Sequence, residues 1–223
     1  MISVLMSVKD DSQNLPRAID SIISQTYTDF EFLINDDGSA DKSLEIIYSY
    51  ADKDERIKIY KNDLNIGLTK SLNKLISFSS GDYIARQDSD DYSEENRFEI
   101  QLKVLREGGF DACTSRARII GSNRKIPNLS FYIPNKLAIK YKNPFIHGSL
   151  LINKKTLSVL ENYNEKFYYA QDYKLFTDLI DNGYKVKNLN MPLYNLNILN
   201  NISTKHLKEQ EYYAECVRRK IKL

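Results

Sequence analysis

The first half of the chain alternates short, almost wholly apolar runs with longer stretches in which apolar residues recur every three or four positions. Ile2–Val8 is nearly all apolar, the pattern of a parallel strand covered on both faces. Leu15, Ala18, Ile19, Ile22 and Ile23 then recur at helical spacing. Ser12 or Asn14 can cap that helix, and Pro16 suits its first turn. Phe30–Ile34 reads as a second strand. Ser39 or Asp41 can cap a helix with Leu44, Ile47 and Tyr48 on one face, and Ile57–Tyr60 is a third strand. Leu68–Phe78 reads as a helix, Tyr83–Ala85 as a fourth strand, and Glu94–Glu107 as a helix closed by Gly108 and Gly109. This series predicts an α/β fold with a doubly wound, mainly parallel sheet. Beyond Phe110 the pattern loosens. Ala112–Ile120, Gly148–Ile152 and Lys185–Leu189 read as strands, Gln171–Asn182 as a helix, and 121–145 as a loop with three prolines. The chain is expected to be one domain, with halves at 1–110 and 111–204 and a helical basic tail at 205–223.

The polar residues that interrupt this pattern cluster where strands end. Ser7 and Lys9 follow the first strand, Asp36 and Asp37 the second, Asp63 and Asn65 the third, and Asp88, Asp90 and Asp91 the fourth. In open α/β sheets ligands bind beyond the carboxyl ends of the strands. Three carboxylates within four residues repel one another unless a cation sits among them. On an extended segment Asp88 and Asp90 point to one side. Magnesium or manganese takes one or two such carboxylates and completes its shell with water and phosphate oxygens. A solvated acidic turn capping the next helix is the alternative. Asp36 and Asp37 can accept bonds from a nucleoside, or form a plain Asp-Gly turn. Neither a G-x-G-x-x-G nor a P-loop is present. Asp172 opens an amphipathic helix, where it fits either the helix dipole or a general base. His147 is one of two histidines, and reads as a structural histidine or a ligand.

Composition narrows the partners. A net charge of +2 gives no footprint for nucleic acid. Cys113 and Cys216 lie far apart and fit no metal or redox spacing, which suits a reducing cytoplasm. No signal peptide is visible at the start, and no apolar run approaches the roughly 20 residues that span a bilayer. The basic tail Val217–Leu223 is either a solvated helix end or a weak contact to the inner, anionic face of a membrane.

Together these residues resemble the inverting glycosyltransferases of family 2, whose fold is called GT-A. The resemblance rests on Ile2–Asp10, on Ser24–Glu31 leading to Asp36–Asp41, on Asn65–Leu68, and on Gly81–Ile84 leading to Asp88–Asp91. It continues through His147–Ser149 and Tyr163–Phe167 to Ala170–Tyr173. It implies that Ser7, Lys9, Asp36, Asp37, Asn65, Asp88 and His147 line the nucleotide-sugar site. Asp90 and Asp91 would hold Mn2+ or Mg2+, with Asp88 nearer the ribose, and Asp172 would be the catalytic base. It further implies a UDP-sugar donor and a glycan or lipid-linked acceptor. Three departures stand out. Lys9 replaces a common tyrosine, Gln171 replaces the acid before the base and should leave the pKa of Asp172 lower, and Tyr194–Ser203 lacks a common basic residue. A nucleotidyltransferase would want a glycine-rich basic loop that Ser7–Leu15 lacks. A non-catalytic nucleotide-sugar or glycan-binding protein is the other alternative.

Overall fold

A computed structural model describes residues 1–122, 124–198 and 206–223. Strands β1 (Ile2–Val8), β2 (Phe30–Asp36), β3 (Ile57–Lys61) and β4 (Tyr83–Arg86) run parallel in the order β3-β2-β1-β4. Helices α1 (Leu15–Ile23), α2 (Ser43–Ala51) and α3 (Leu68–Phe78) make the crossovers. The apolar run of β1 is buried on both faces. Val4 and Met6 join the core under α1, while Leu5 joins the core under α3. Each such side chain contributes about 2 kcal/mol through burial.

The second half adds β5 (Tyr92–Ser93), helix α4 (Arg97–Gly108), β6 (Ala112–Ile119), β7 (Lys125–Ile126) and the short helix α5 (Asn135–Ala138). Then come β8 (Leu151–Asn153), α6 (Lys154–Val159), α7 (Gln171–Asp181), β9 (Val186–Leu196) and α8 (Leu207–Arg218). Among the described residues one nine-stranded sheet runs through both halves, continuing from β4 as β8-β6-β9-β5 with β7 on β6. The parallel expectation holds through β4. Beyond it the sheet is mixed, because β8 returns antiparallel between β4 and β6.

Within 121–145, read as a loop, the structure forms β7 and α5, and three of the shifted element boundaries have clear local reasons. Helix α4 begins at Arg97 rather than Glu94, because the Glu94 N–H is bonded to Leu193 O and Tyr92–Ser93 pairs with β9. The stretch at Gly148 is a 3-10 turn, His147–Ser149, before β8. The Ser149 hydroxyl bonds to Ser115 O and Ile146 O, which folds the backbone there. Strand β9 extends seven residues past Leu189, to Leu196, with register shifts beside Arg116.

Candidate functional site

The acidic turn after β4 is organised by a buried arginine. Arg86 is fully buried and lies beside Leu5 in register. Its guanidinium donates to Leu5 O and Gln87 O at 2.9 Å each and ion-pairs with Asp88. The Gln87 amide donates to Asp88 O and Asp91 O, closing the turn. The Asp88 N–H donates to the Tyr194 hydroxyl at 3.1 Å, and the Asp91 carboxylate accepts the Asn197 N–H at 2.6 Å. Ser89 reaches across to Asp11 at 2.7 Å, so a carboxylate from the β1–α1 loop joins the group.

This arrangement leaves negative charge uncompensated. Burial, then the charges of Asp88 and Asp11, push Asp90 up to about 7. Burial, then Asp88 and Asp90, push Asp91 well above the ordinary carboxylate range. Among the described residues no group of three or more His, Cys, Asp or Glu side chains forms a metal cage. Asp88 and Asp91 are each already bonded to the protein. The turn thus offers a cation one or two carboxylates and would leave the rest of its shell to phosphate oxygens and water, rather than forming an all-protein cage. The turn leaves no room beside Gly148. A Cβ there would lie 2.1 Å from the Tyr194 hydroxyl and 2.7 Å from the Asp88 carboxylate.

The other strand ends carry the nucleotide candidates. Ser7 lies opposite Asn35 in register. Lys9 donates to Gly38 O and lies 3.1 Å from Asp10, bridging the β1 and β2 ends. Asp37 is buried and clasps the β3–α3 loop, accepting from Asn62 Nδ2 at 2.8 Å and from Ile66 N and Gly67 N at 2.9 Å. Asn65 is exposed and caps the same turn by accepting from Gly67 N. Asp36 accepts from Ser39 N through one oxygen. Its other oxygen, and both polar atoms of the fully buried Asn35, have no hydrogen-bond partner among the described residues. Buried polar atoms of this kind are paired in most folded proteins, and a ligand or water at these strand ends would pair these three.

Asp172 stands at the start of α7, after Ala170 in a left-handed conformation (φ 53°). Its carboxylate accepts from Asn143 Nδ2 at 2.7 Å. Burial raises its pKa, bonds from the Tyr173 N–H and Asn143 oppose the rise, and the charge of Asp88 adds to it. His147 pairs with the Tyr163 hydroxyl at 2.7 Å. Burial, then the Arg86 charge, drives the imidazole pKa down to about 3, so this ring is neutral. Tyr163 feels Arg86, Asp172 and Asp88. The charges of Arg86, Asp88 and Asp172 all act on Tyr163, and His147 is bonded to it, so the acidic turn, His147 and Asp172 lie near one another. The tail of the segment expected to lack a basic residue, 199–203, lies outside the described residues.

The sequence singled out neither Arg86 nor Arg97. Arg97 is also fully buried and donates to Ser93, Gln101, Arg86 O and Leu150 O. Its only sequence signal is position: it occupies a core-facing place in α4 beside Phe98 and Gln101. Asn143 and Tyr194 left no local pattern at all, since long-range packing brings them to the site.

Comparison with known proteins agrees with this architecture. The profile of the family described as Glycosyl transferase family 2 matches residues 3–169. The O-antigen biosynthesis glycosyltransferase WbnJ of Escherichia coli is 32% identical over 223 residues, covering 97% of this chain and 85% of that protein. S. aureus TarS 1-349 in complex with UDP-GlcNAc superposes with a TM-score of 0.78 at 19% identity, over 92% of this chain and 60% of that one. The mannosyltransferase PcManGT from Pyrobaculum calidifontis, in complex with GDP-Man and Mn2+, gives a TM-score of 0.76 at 16% identity, over 96% and 64%. The chain spans under two thirds of both solved structures. At these identities they show its fold, the curled α/β arrangement called GT-A.

Proposed function

From the premise that the chain belongs to glycosyl transferase family 2 and is a glycosyltransferase, we propose that it transfers a sugar from a nucleoside-diphosphate donor to an acceptor hydroxyl by one inverting displacement. The observation that carries the reading is that two unlike carboxylate environments lie close enough for the charge of Asp88 to act on Asp172. One is the acidic turn Asp88–Asp91, anchored to Arg86. The other is Asp172, held by Asn143 with its pKa raised by burial.

The donor lies over the strand ends, with its nucleoside against Ser7, Lys9, Asn35, Asp36 and Asp37. The ribose hydroxyls reach toward Asp36 and Asp88, the loop at Asn65 closes the base edge, and His147 borders the sugar. A Mn2+ or Mg2+ ion bound at Asp90 and Asp91 would act as a Lewis acid that stabilises the leaving diphosphate. Asp172 Oδ accepts the proton of the acceptor hydroxyl. Asn143 fixes the orientation of that carboxylate, and the raised pKa improves its strength as a base. Neutral His147 bonded to Tyr163 keeps a second charge away from Asp172. The hydroxyl attacks the anomeric carbon on the face opposite the leaving group, through an oxocarbenium-like state, so the configuration inverts.

Complexes of similar proteins with UDP-GlcNAc and with GDP-Man and Mn2+ support a nucleotide-sugar donor and a divalent ion. The O-antigen relative supports a glycan acceptor in polysaccharide synthesis. The test is a donor screen read by released nucleoside diphosphate, with and without Mn2+, on the native chain and on Asp172→Asn. Metal-dependent release that is lost in Asp172→Asn is expected. Equal release by both proteins overturns the base assignment.

A further inference from the structure

The expectation of a membrane contact at the basic tail meets a difficulty in the structure. Arg218 ion-pairs with Glu211 and Glu215, Arg219 with Glu215, and Lys220 with Asp181 at 2.7 Å. Cys216 and Val217 are buried against the core under α7. Three of the tail's four basic residues are thus paired with carboxylates of α7 and α8 at the surface.

A different segment carries unspent charge. From Ala112 to Leu160 the sequence holds nine lysines and arginines and no aspartate or glutamate. Within it Arg124, Lys125, Lys136, Lys140 and Lys142 are exposed, and none has an ion pair among the described residues. The same stretch exposes large apolar groups: Leu129 at 79%, Tyr132 at 70% and Tyr141 at 70%, with Ile133 and Leu137 partly covered. Residues 134–142 form about two helical turns closed by bonds such as Ile139 N to Asn135 O and Lys142 N to Ala138 O. Residues four apart share a face of such turns. Lys136 and Lys140 therefore stack beside Leu137 and Tyr141 on the outward face, while Ala138 and Ile139 are buried. The inner side is pinned by Tyr173 Oη to Ile139 O at 2.6 Å and by Asn135 Nδ2 to Val186 O at 3.0 Å.

We propose that residues 124–142 dock the protein on an anionic lipid surface. Unpaired cations beside exposed Leu, Ile and Tyr match the two terms of interfacial binding, attraction to anionic headgroups and burial of apolar area at their boundary. A soluble polyanion would use the cations and leave the apolar groups in water. The docked face leads directly to Asn143, which holds Asp172. The surface would thus set the acceptor entrance of the cleft against the membrane, a consequence that rests on the proposed reaction, whereas the docking itself does not.

The test is sedimentation of the full chain with phosphatidylcholine vesicles and with phosphatidylcholine–phosphatidylglycerol vesicles, without donor or acceptor. Binding only to the anionic vesicles, weakened by salt, is expected. Lys136→Gln with Lys140→Gln should cut the partition coefficient about thirtyfold. Leu137→Ser with Tyr141→Ser should also cut it, and Arg219→Gln with Lys222→Gln should leave it unchanged. No binding to anionic vesicles, or binding lost only in the tail variant, overturns the proposal. So does competition by polyphosphate together with unchanged binding of the Leu137→Ser, Tyr141→Ser variant, which would mark a polyanion site instead.

Discussion

Asp172 illustrates how one residue acquires chemistry from its neighbours. A first-turn aspartate is ordinarily a helix-dipole partner, and its carboxyl is then held low. Here burial raises it, and the Asn143 amide restrains the rise. As the proposed base it must be ionised, so transfer should fall on the acid side of a limb lying above the usual carboxylate value of 3.8. Asn143→Ala removes a bond that favours the charged form. Its expected effect is to move that limb of kcat/KM to higher pH and to lower kcat about tenfold. A limb that stays where it was would show that Asn143 does not act on the base. Asp172→Asn should reduce transfer by at least about a hundredfold while nucleoside diphosphate binding, followed by calorimetry, persists. Loss of binding in that variant would mean the cleft had collapsed, and the wild-type melting temperature would separate that outcome from loss of the base alone.

At the scale of elements, the site is assembled from loops that the parallel strands hold in place. Asp37 accepts three bonds from the β3–α3 loop and so converts a strand end into a clasp. Asp37→Ala leaves the Ile66 and Gly67 N–H groups without that acceptor. It should cost about 2–3 kcal/mol in denaturant unfolding and weaken nucleotide binding more than Asn65→Ala does. Gly148→Ala drives a methyl into Tyr194 and Asp88, so it should lower both the melting temperature and the apparent affinity for the divalent ion. The legibility of these elements in the sequence follows their contacts. From β1 to α4 each element carries its own period, β1 pairs with β2, β2 with β3, and β4 returns to β1, so periodicity reveals the series of elements. The mixed half depends on pairings such as Cys113 with Leu151 and Ala112 with Val186, which no local pattern encodes. The acidic turn and Asp172 were legible because charge is conspicuous at a strand end or helix start. Arg86 and Arg97 were not, because a fully buried arginine looks like any surface charge until its carbonyl partners are brought to it by the fold.

Over the whole molecule the carboxylates divide by role. Those of the cleft, Asp90, Asp91 and Asp172, are raised by burial and like charge, so ionising them opposes folding. Glu31, Asp41 and Asp54, in the scaffold, are lowered. Glu31 is the fullest case: burial opposes its charge, but Lys58, Ser3 and Ser80 overcome this and hold it at about 2, against 4.5 for a free side chain. Its oxygens accept from Lys58 Nζ at 2.6 Å, Ser3 Oγ at 2.5 Å and Ser80 N at 2.6 Å. A single carboxylate thereby ties β1, β2, β3 and the turn before β4, at the end of the sheet remote from the cleft. Because the folded pKa lies below the unfolded one, the stabilisation is complete above pH 4.5 and disappears as pH falls toward 2. A shift of this size corresponds to roughly 3 kcal/mol. The exposure of Lys58, at 49%, lets solvent screen part of it, so about 2 kcal/mol is expected. Glu31→Gln should therefore melt below the native chain at pH 7, converge with it as the solution is acidified through that window, and leave nucleotide binding at pH 7 untouched. Parallel melting curves for the two proteins across the acid range would show that the tie works through shape alone and that its charge contributes nothing to the sheet.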